Sequence, residues 1–343
     1  MPVQYQPLNA SSDVTTTKTL LHEVIPITGS IVSGTYSDNN IKNYSHGMFQ
    51  SVYDYPYLSS SANHIFDLTV GYDETSGLSG SSNVQNAKKI NLYNQYAQVL
   101  LGYTGSTTDG VRKFENDLTL DGTGAMKEVF FINFSRLITK DQIKKGSFSI
   151  GVGTGSAYAI PFAGSPFTLQ DALATENSNT ATTQGGDYGL LFTNSSGTGV
   201  AVGNVFYQAG IAVVTASIFG PLINMNPAGR KFRQLLTGSA ISASCDALRH
   251  RVENISFNNT TEINSKIYFC RAPFNRFNYS ANPTYVSGSK IRVKDVATDT
   301  PVAYITTVGL YSATGELLAT AKLSEPLRKD PTNELTLRVR LDY

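Results

Sequence analysis

From Glu334 to Tyr343 the chain reads E-L-T-L-R-V-R-L-D-Y. Leu335, Leu337, Val339 and Leu341 fall on one side, and Thr336, Arg338, Arg340 and Asp342 on the other. A period of two is what a pleated strand with one covered face imposes. The pattern predicts that these last residues are tied into a sheet. Further strands are expected at 65–72, 147–152 and 290–294. V-F-F-I-N-F at 129–134 is apolar almost throughout, as in a strand covered on both faces. Hairpins are expected at 200–215, 252–270 and 302–323, turning at Gln208-Ala209-Gly210, Asn258-Asn259 and Ala313-Thr314-Gly315.

Two stretches have a helical period instead. Ala87, Ile90, Tyr93, Ala97, Leu100 and Leu101 recur at steps of three and four, with Gly102 placed to end the helix. Within 239–251, Ile241, Cys245, Leu248 and Val252 form a second apolar stripe, with Ser239 or Ser242 as the cap. Thr139-Lys140-Asp141-Gln142 has the form of a capping box, predicting a short helix stopped by Gly146. Residues 21–36 alternate loosely around Pro26 and Gly29 and predict interrupted strands. The fold class expected is mainly β with a few helices (β-rich α+β), ending in an antiparallel β-sandwich or barrel. The expected organisation is an extended N-terminal arm over 1–20, a β-rich domain over 21–249 and a C-terminal sandwich over 250–343. The middle domain carries the helices near 87–101 and 239–251. It also carries a Gly-, Ser- and Thr-rich insertion near 153–200, with the loop at 174–186 its most exposed part.

Composition narrows the partners. The chain has 343 residues, of which only 15% are charged, and a formal net charge of +1; about 25% charged is usual. Neutral polar groups and tyrosines supply the surface, which suits close packing against other protein. No overall field is available to hold nucleic acid or an anionic membrane. The clusters Lys144-Lys145 and Arg230-Lys231-Arg233 are short. No apolar run approaches the ~20 residues that cross a bilayer, so membrane insertion is not expected. The N-terminus lacks the pattern of a signal peptide. Two cysteines, Cys245 and Cys270, make no disulfide framework and point to synthesis in a reducing cytoplasm.

Reactive constellations are sparse. Of four histidines, His46 and His64 are near enough in sequence to share a site with Asp67, but no metal-ligand spacing is present. G-V-G-T-G-S at 151–156 lacks the G-K-[ST] ending of a phosphate loop and reads as a turn. Asp54, Asp67, Asp73, Glu74, Glu115, Asp117 and Asp121 are scattered, and no pair stands out as the two carboxylates of a glycosidase. D-E-T-S-G and E-N-D-L-T-L-D-G have some look of calcium loops without fitting EF-hand spacing. Cys245 and His250 are five apart, which on a helix puts them on different faces. The aromatic stretch Tyr44, Phe49, Tyr53, Tyr55 and Tyr57 fits stacking of sugars or bases, but such segments are more often core or protein interface, and interface is the reading favoured here. No catalytic, cofactor-binding or metal-binding residue is assigned, and no small-molecule substrate is expected.

Several segments carry a resemblance. They are Tyr93-Asn94-Gln95-Tyr96-Ala97-Gln98-Val99-Leu100-Leu101, Gly203-Asn204-Val205-Phe206-Tyr207 and Gly210-Ile211-Ala212-Val213-Val214-Thr215. Further on come Phe257-Asn258-Asn259-Thr260-Thr261-Glu262, Tyr268-Phe269-Cys270-Arg271, Phe277-Asn278-Tyr279-Ser280-Ala281-Asn282-Pro283 and Thr306-Thr307-Val308-Gly309-Leu310-Tyr311. Together these resemble virion structural proteins of contractile-tailed bacteriophages, including those of marine bacteria and cyanobacteria, chiefly over 200–343. The resemblance implies a structural, non-enzymatic subunit of the tail, in the baseplate or its wedge, bound to other virion proteins and to copies of itself. A neck or head–tail connector and a carbohydrate-binding or hydrolysing host-envelope protein are the alternatives. The expected interface residues are the five aromatics above together with Arg271, Arg276, Arg292, Arg338 and Arg340. The sheet reading of the C-terminus predicts strand-dominated circular dichroism and loss of folding on deletion back to Leu327. An unchanged melting temperature after that deletion would refute it.

Overall fold

Strand formation along this chain follows its alternation and its β-branched and aromatic content. The architecture was obtained as a computed structural model. It describes residues 5–23, 37–104, 110–153, 167–174, 179–197, 200–216, 224–225, 230–231, 235–238, 240–280, 286–287, 290–291, 296, 298 and 300–342. The protein is mainly β, 43% strand and 14% helix, in several antiparallel sheets, with no closed barrel among the described residues. Two compact units share it: residues 22–261, and residues 1–21 together with 262–343.

The larger unit is organised by an eight-stranded antiparallel sheet. Its order is Ile41–Asn43, Gln50–Tyr53, His64–Tyr72, Glu128–Phe134, Ile211–Thr215, Gly203–Phe206, Gly186–Leu191 and Thr180–Thr183. The Glu128–Phe134 strand runs between His64–Tyr72 and Ile211–Thr215. Its side chains divide by parity, because successive residues of a strand point to opposite faces. Phe130, Ile132 and Phe134 enter one apolar core with Phe66, Leu68, Cys245 and Leu248. Val129 and Phe131 enter another with Tyr93, Phe114, Tyr188 and Phe206. The doubly covered strand read from V-F-F-I-N-F is therefore present at the centre of the unit.

The helix Asn86–Leu100 ends as expected. Leu101 and Gly102 both donate their N–H to the Ala97 carbonyl, at 2.8 and 3.1 Å, and Gly102 takes φ +84°. Its buried face is turned from the one expected. Lys89, Leu92, Tyr93, Ala97 and Leu100 are buried, whereas Ala87 is exposed and Ile90 half-buried. A lysine had no place in an apolar stripe; its stem is covered while its ammonium donates to the Leu236 carbonyl. The helix Ile241–Arg249 buries Ile241, Cys245 and Leu248. Ala240 takes the N-cap position, Ser242 lies inside the helix, and Ser239 lies outside the described residues. Gln85 Oε1 accepts the Ile241 N–H at 2.7 Å, a cap from 156 positions away.

Other expectations need correction. The capping box at 139–142 starts no helix; a four-residue helix Arg136–Thr139 precedes it and Gln142–Ile143 is a strand. The segment read as a loop at 174–186 holds the strand Thr180–Thr183 and the start of Gly186–Leu191, which form an edge hairpin of the main sheet. Val252–Ser256 does not pair with the strand that follows it; it pairs with Ser149–Val152, which also pairs with Phe167–Gln170. The strands expected around 24–36, and the part of the 290–294 strand after Ile291, lie outside the described residues.

In the smaller unit the final strand Leu335–Asp342 pairs antiparallel with Asn259–Ala272, in register from Ser265 opposite Asp342 to Ala272 opposite Leu335. Val14–Glu23, in the segment expected as an extended arm, lies on the other side of Asn259–Ala272. Ala303–Tyr311 and Leu317–Lys329 form a long hairpin. A closed C-terminal barrel is absent, because this hairpin pairs with no third strand among the described residues.

One close approach in the larger unit is testable. Gly71, in the His64–Tyr72 strand, lies under the helix Asn86–Leu100. A Cβ there would stand 2.9 Å from both the Lys89 carbonyl oxygen and the Tyr93 nitrogen. Backbone atoms cannot swing aside, so Gly71→Ala should destabilise by about 1–3 kcal/mol, read by urea unfolding. An unchanged midpoint would show that the helix is not held against this strand.

Candidate functional site

The aromatic stretch begins on the short strands Ile41–Asn43 and Gln50–Tyr53 at one edge of the main sheet. The rings split into groups. Tyr44 stacks on His46 at 5.1 Å and packs against Phe49 at 4.8 Å, with the Lys42 ammonium 4.9 Å above the Tyr44 ring. Tyr53 packs near Tyr57 at 6.4 Å and against His64 at 5.5 Å. Tyr44, Phe49 and Tyr53 are thus half-buried by their own neighbours. Tyr55 (57% exposed), Tyr57 and Leu58 (85%) face solvent.

His64 and Asp67 meet, with Nε2 and Oδ1 2.9 Å apart. The same Asp67 oxygen accepts a hydrogen bond from the Ser51 hydroxyl, which lies 3.2 Å from the Tyr44 hydroxyl. The carboxylate therefore stands between serine and imidazole. A serine nucleophile needs the imidazole in the middle, taking the hydroxyl proton while the acid orients it. His46 does not join them; its Nδ1 accepts the Met48 N–H at 3.0 Å. Among the described residues, His46, His64 and Asp67 form no metal-ligand group.

Cys245 is wholly buried, and its thiol donates to the Leu68 carbonyl at 3.2 Å. Burial raises its pKa well above the ordinary thiol value, which makes it an inert core residue. In G-V-G-T-G-S, Gly151 and Val152 belong to a strand, and the part from 154 onward lies outside the described residues.

The arginines of the smaller unit are mostly engaged within it. Arg271 pairs with Asp13 at 2.9 Å. Arg276 donates to Gln6 Oε1 at 3.0 Å. Arg340 pairs with Asp342 at 2.7 Å and donates to Ser265 Oγ at 3.0 Å. Arg338 is exposed on the final strand. Arg292 lies outside the described residues.

Chemistry that sequence reasoning missed lies inside the larger unit. Asp171 is buried and accepts three hydrogen bonds: from Gly146 N–H at 2.7 Å, Phe148 N–H at 2.9 Å and the Tyr207 hydroxyl at 3.1 Å. Burial outweighs these donors and pushes its pKa up to about 7. Lys89 is buried, and burial draws its pKa down to about 8. Neither residue has a periodicity or motif that marks it, since each is placed by contacts distant in sequence. The carboxylates of E-N-D-L-T-L-D-G, which the sequence did single out, Glu115, Asp117 and Asp121, come together at one loop. An open concavity of about 540 Å³ is lined in part by Thr75, Asn116, Lys127, Glu128, Val200 and Thr215. Its Glu128 accepts a hydrogen bond from Ser76 at 2.5 Å, and among the described residues no imidazole or thiol lines it.

No protein-family model, curated protein or solved structure matches the chain at a significant level.

Asp171 makes a pH-dependent contribution with a definite sign. Its folded pKa lies above the ordinary ~3.9 of an unfolded chain, so the folded state holds the proton more tightly. That contribution is complete below pH ~4 and is lost as pH rises through about 7. Unfolding free energy compared between the native chain and Asp171→Asn should show the native chain losing a few kcal/mol, in relative terms, from pH 4 to pH 7. Parallel curves would place the Asp171 pKa at its ordinary value.

Proposed function

We propose that this chain is a non-enzymatic structural subunit of a tailed-bacteriophage virion, a component of the tail baseplate, and that its surfaces are covered by neighbouring virion proteins and copies of itself. The observation that carries the reading is the hairpin of Ala303–Tyr311 and Leu317–Lys329. Tyr304, Tyr311, Leu317 and Leu318 on it are 45–68% exposed. Ile305, Val308, Leu310, Leu323 and Leu327 are only half covered. A two-stranded ribbon is marginally stable in water by itself, and its open edges and apolar side chains are suited to another chain.

Three further points support the reading. The low share of charged residues lowers the desolvation cost of a broad interface. Tyr55, Tyr57 and Leu58 form a second exposed apolar group, on the larger unit. The resemblance of the segments in 200–343 to contractile-tail proteins supplies the kind of particle. Against an enzymatic role stands the Ser51–Asp67–His64 order, which is wrong for a nucleophile.

The reading is tested on the particle. An antibody raised against the purified chain should label one end of the tail of intact phage particles. Tyr304→Ser with Leu318→Asp should cut incorporation into particles at least tenfold while moving the melting temperature of the free chain little, since exposed substitutions stay within about ±0.5 kcal/mol. Undiminished incorporation, or absence of the protein from purified particles, would sink the proposal.

A further inference from the structure

The segment from Glu115 to Ala125 is a loop closed at its neck. Glu115 and Ala125 form a bridge pair, Asn116 N–H donates to the Gly124 carbonyl at 3.1 Å, and Met126 N–H donates to the Phe114 carbonyl at 2.7 Å. The Tyr93 hydroxyl clamps both sides below it, accepting the Phe114 N–H and donating to the Met126 carbonyl, each at 3.1 Å. Phe114 in turn packs edge-on against Phe131 at 5.5 Å. The loop therefore stands on the aromatic core, and a site on it has a rigid base.

Across this loop Glu115, Asp117 and Asp121 each bring a carboxylate oxygen within 4.8 Å of those of the other two. Among the described residues none of the three forms an ion pair. A second observation is separate from this crowding. Glu115 is only 3% exposed; its Oε1 accepts the Gly122 N–H at 2.9 Å, while its Oε2 is buried and receives no donor. Beside it Asn204, also buried, donates Nδ2 to the Glu115 carbonyl at 3.2 Å, and its Oδ1 likewise receives no donor. A buried carboxylate oxygen without a donor is costly, and two neighbouring carboxylates add to the cost. A cation bound among the three carboxylates relieves their mutual repulsion and neutralises the buried Glu115.

We propose that Glu115, Asp117 and Asp121 bind a calcium ion, with main-chain and water oxygens completing its shell. The ligand set is oxygen only, which selects a hard cation over zinc or copper. Calcium holds oxygens at about 2.3–2.6 Å in a tolerant geometry. Two ligands on opposite sides of it therefore lie about 4.6–5.2 Å apart, a span that the three carboxylates already satisfy. Magnesium demands about 2.0–2.1 Å and a near-ideal octahedron, which a partly exposed loop serves poorly. The bound ion fixes the carboxylates of the loop in one arrangement above the core.

The test is calcium titration of the purified full chain, freed of metal with a chelator, by calorimetry and by thermal unfolding. Expected are one calcium per chain, binding at least tenfold weaker for magnesium, and a melting temperature several degrees higher at saturating calcium. Asp117→Asn with Asp121→Asn changes side chains near the loop surface and should leave the chelator-treated melting temperature unchanged or raised. It should weaken calcium binding at least tenfold and remove the calcium-dependent rise. Glu115→Gln should raise the metal-free melting temperature and also abolish the rise. Absence of stoichiometric binding up to about 10 mM, beyond the weak end of calcium sites, would overturn the proposal. So would calcium binding that survives Asp117→Asn with Asp121→Asn.

Discussion

The Glu128–Phe134 strand is covered on both faces, and the larger unit is arranged to cover it. Phe130, Ile132 and Phe134 point into one core, Val129 and Phe131 into the other. Full burial of side chains this size is worth about 1.5–3 kcal/mol each, so leaving either face open would forfeit much of the stability of the unit. One face is closed with the help of the helix Ile241–Arg249 and the strands around Ile150 and Ile255. The other is closed by Tyr93, Ala97 and Leu100 of the helix Asn86–Leu100 and by the ring of Phe114. The loop that carries Glu115, Asp117 and Asp121 is anchored through this second core.

The smaller unit obeys a different constraint. Its three long strands pair along their backbones, but its hairpin keeps tyrosine and leucine side chains in water. Its ion pairs include Arg271 with Asp13 and Arg340 with Asp342. Exposed ion pairs of this kind contribute little to stability. The contrast between a doubly cored unit and an incompletely covered ribbon underlies the assembly role proposed for the chain.

Much of the fold was legible as periodicity. The final strand and both longer helices are visible because each repeats an apolar face at a fixed step, the strand at 129–134 because it is apolar almost throughout, and the hairpins at 203–215 and 303–329 because turn residues separate two β-prone runs. Pairing was less legible. Val252–Ser256 turns away from its sequence neighbour to Ser149–Val152, since adjacency in sequence is only a tendency and not a bond. Lys89 was invisible as a core residue because its burial depends on a carbonyl, that of Leu236, 147 positions away. The candidate site was half legible: the three carboxylates could be read off E-N-D-L-T-L-D-G, but not their convergence or the orphaned oxygen of Glu115.

The amino-acid sequence by itself determined the alternating strands, the helical stripes, the scarcity of charge and the want of any recognisable catalytic motif. These are properties of neighbours along the chain, which local sterics and hydration are enough to express. Tertiary structure alone decided which strands pair, which face of the helix Asn86–Leu100 is covered, and which polar atoms are sealed from water without a donor. Each of those depends on groups that meet only after the chain has closed long loops, where burial sets the energy of a contact and sequence distance does not.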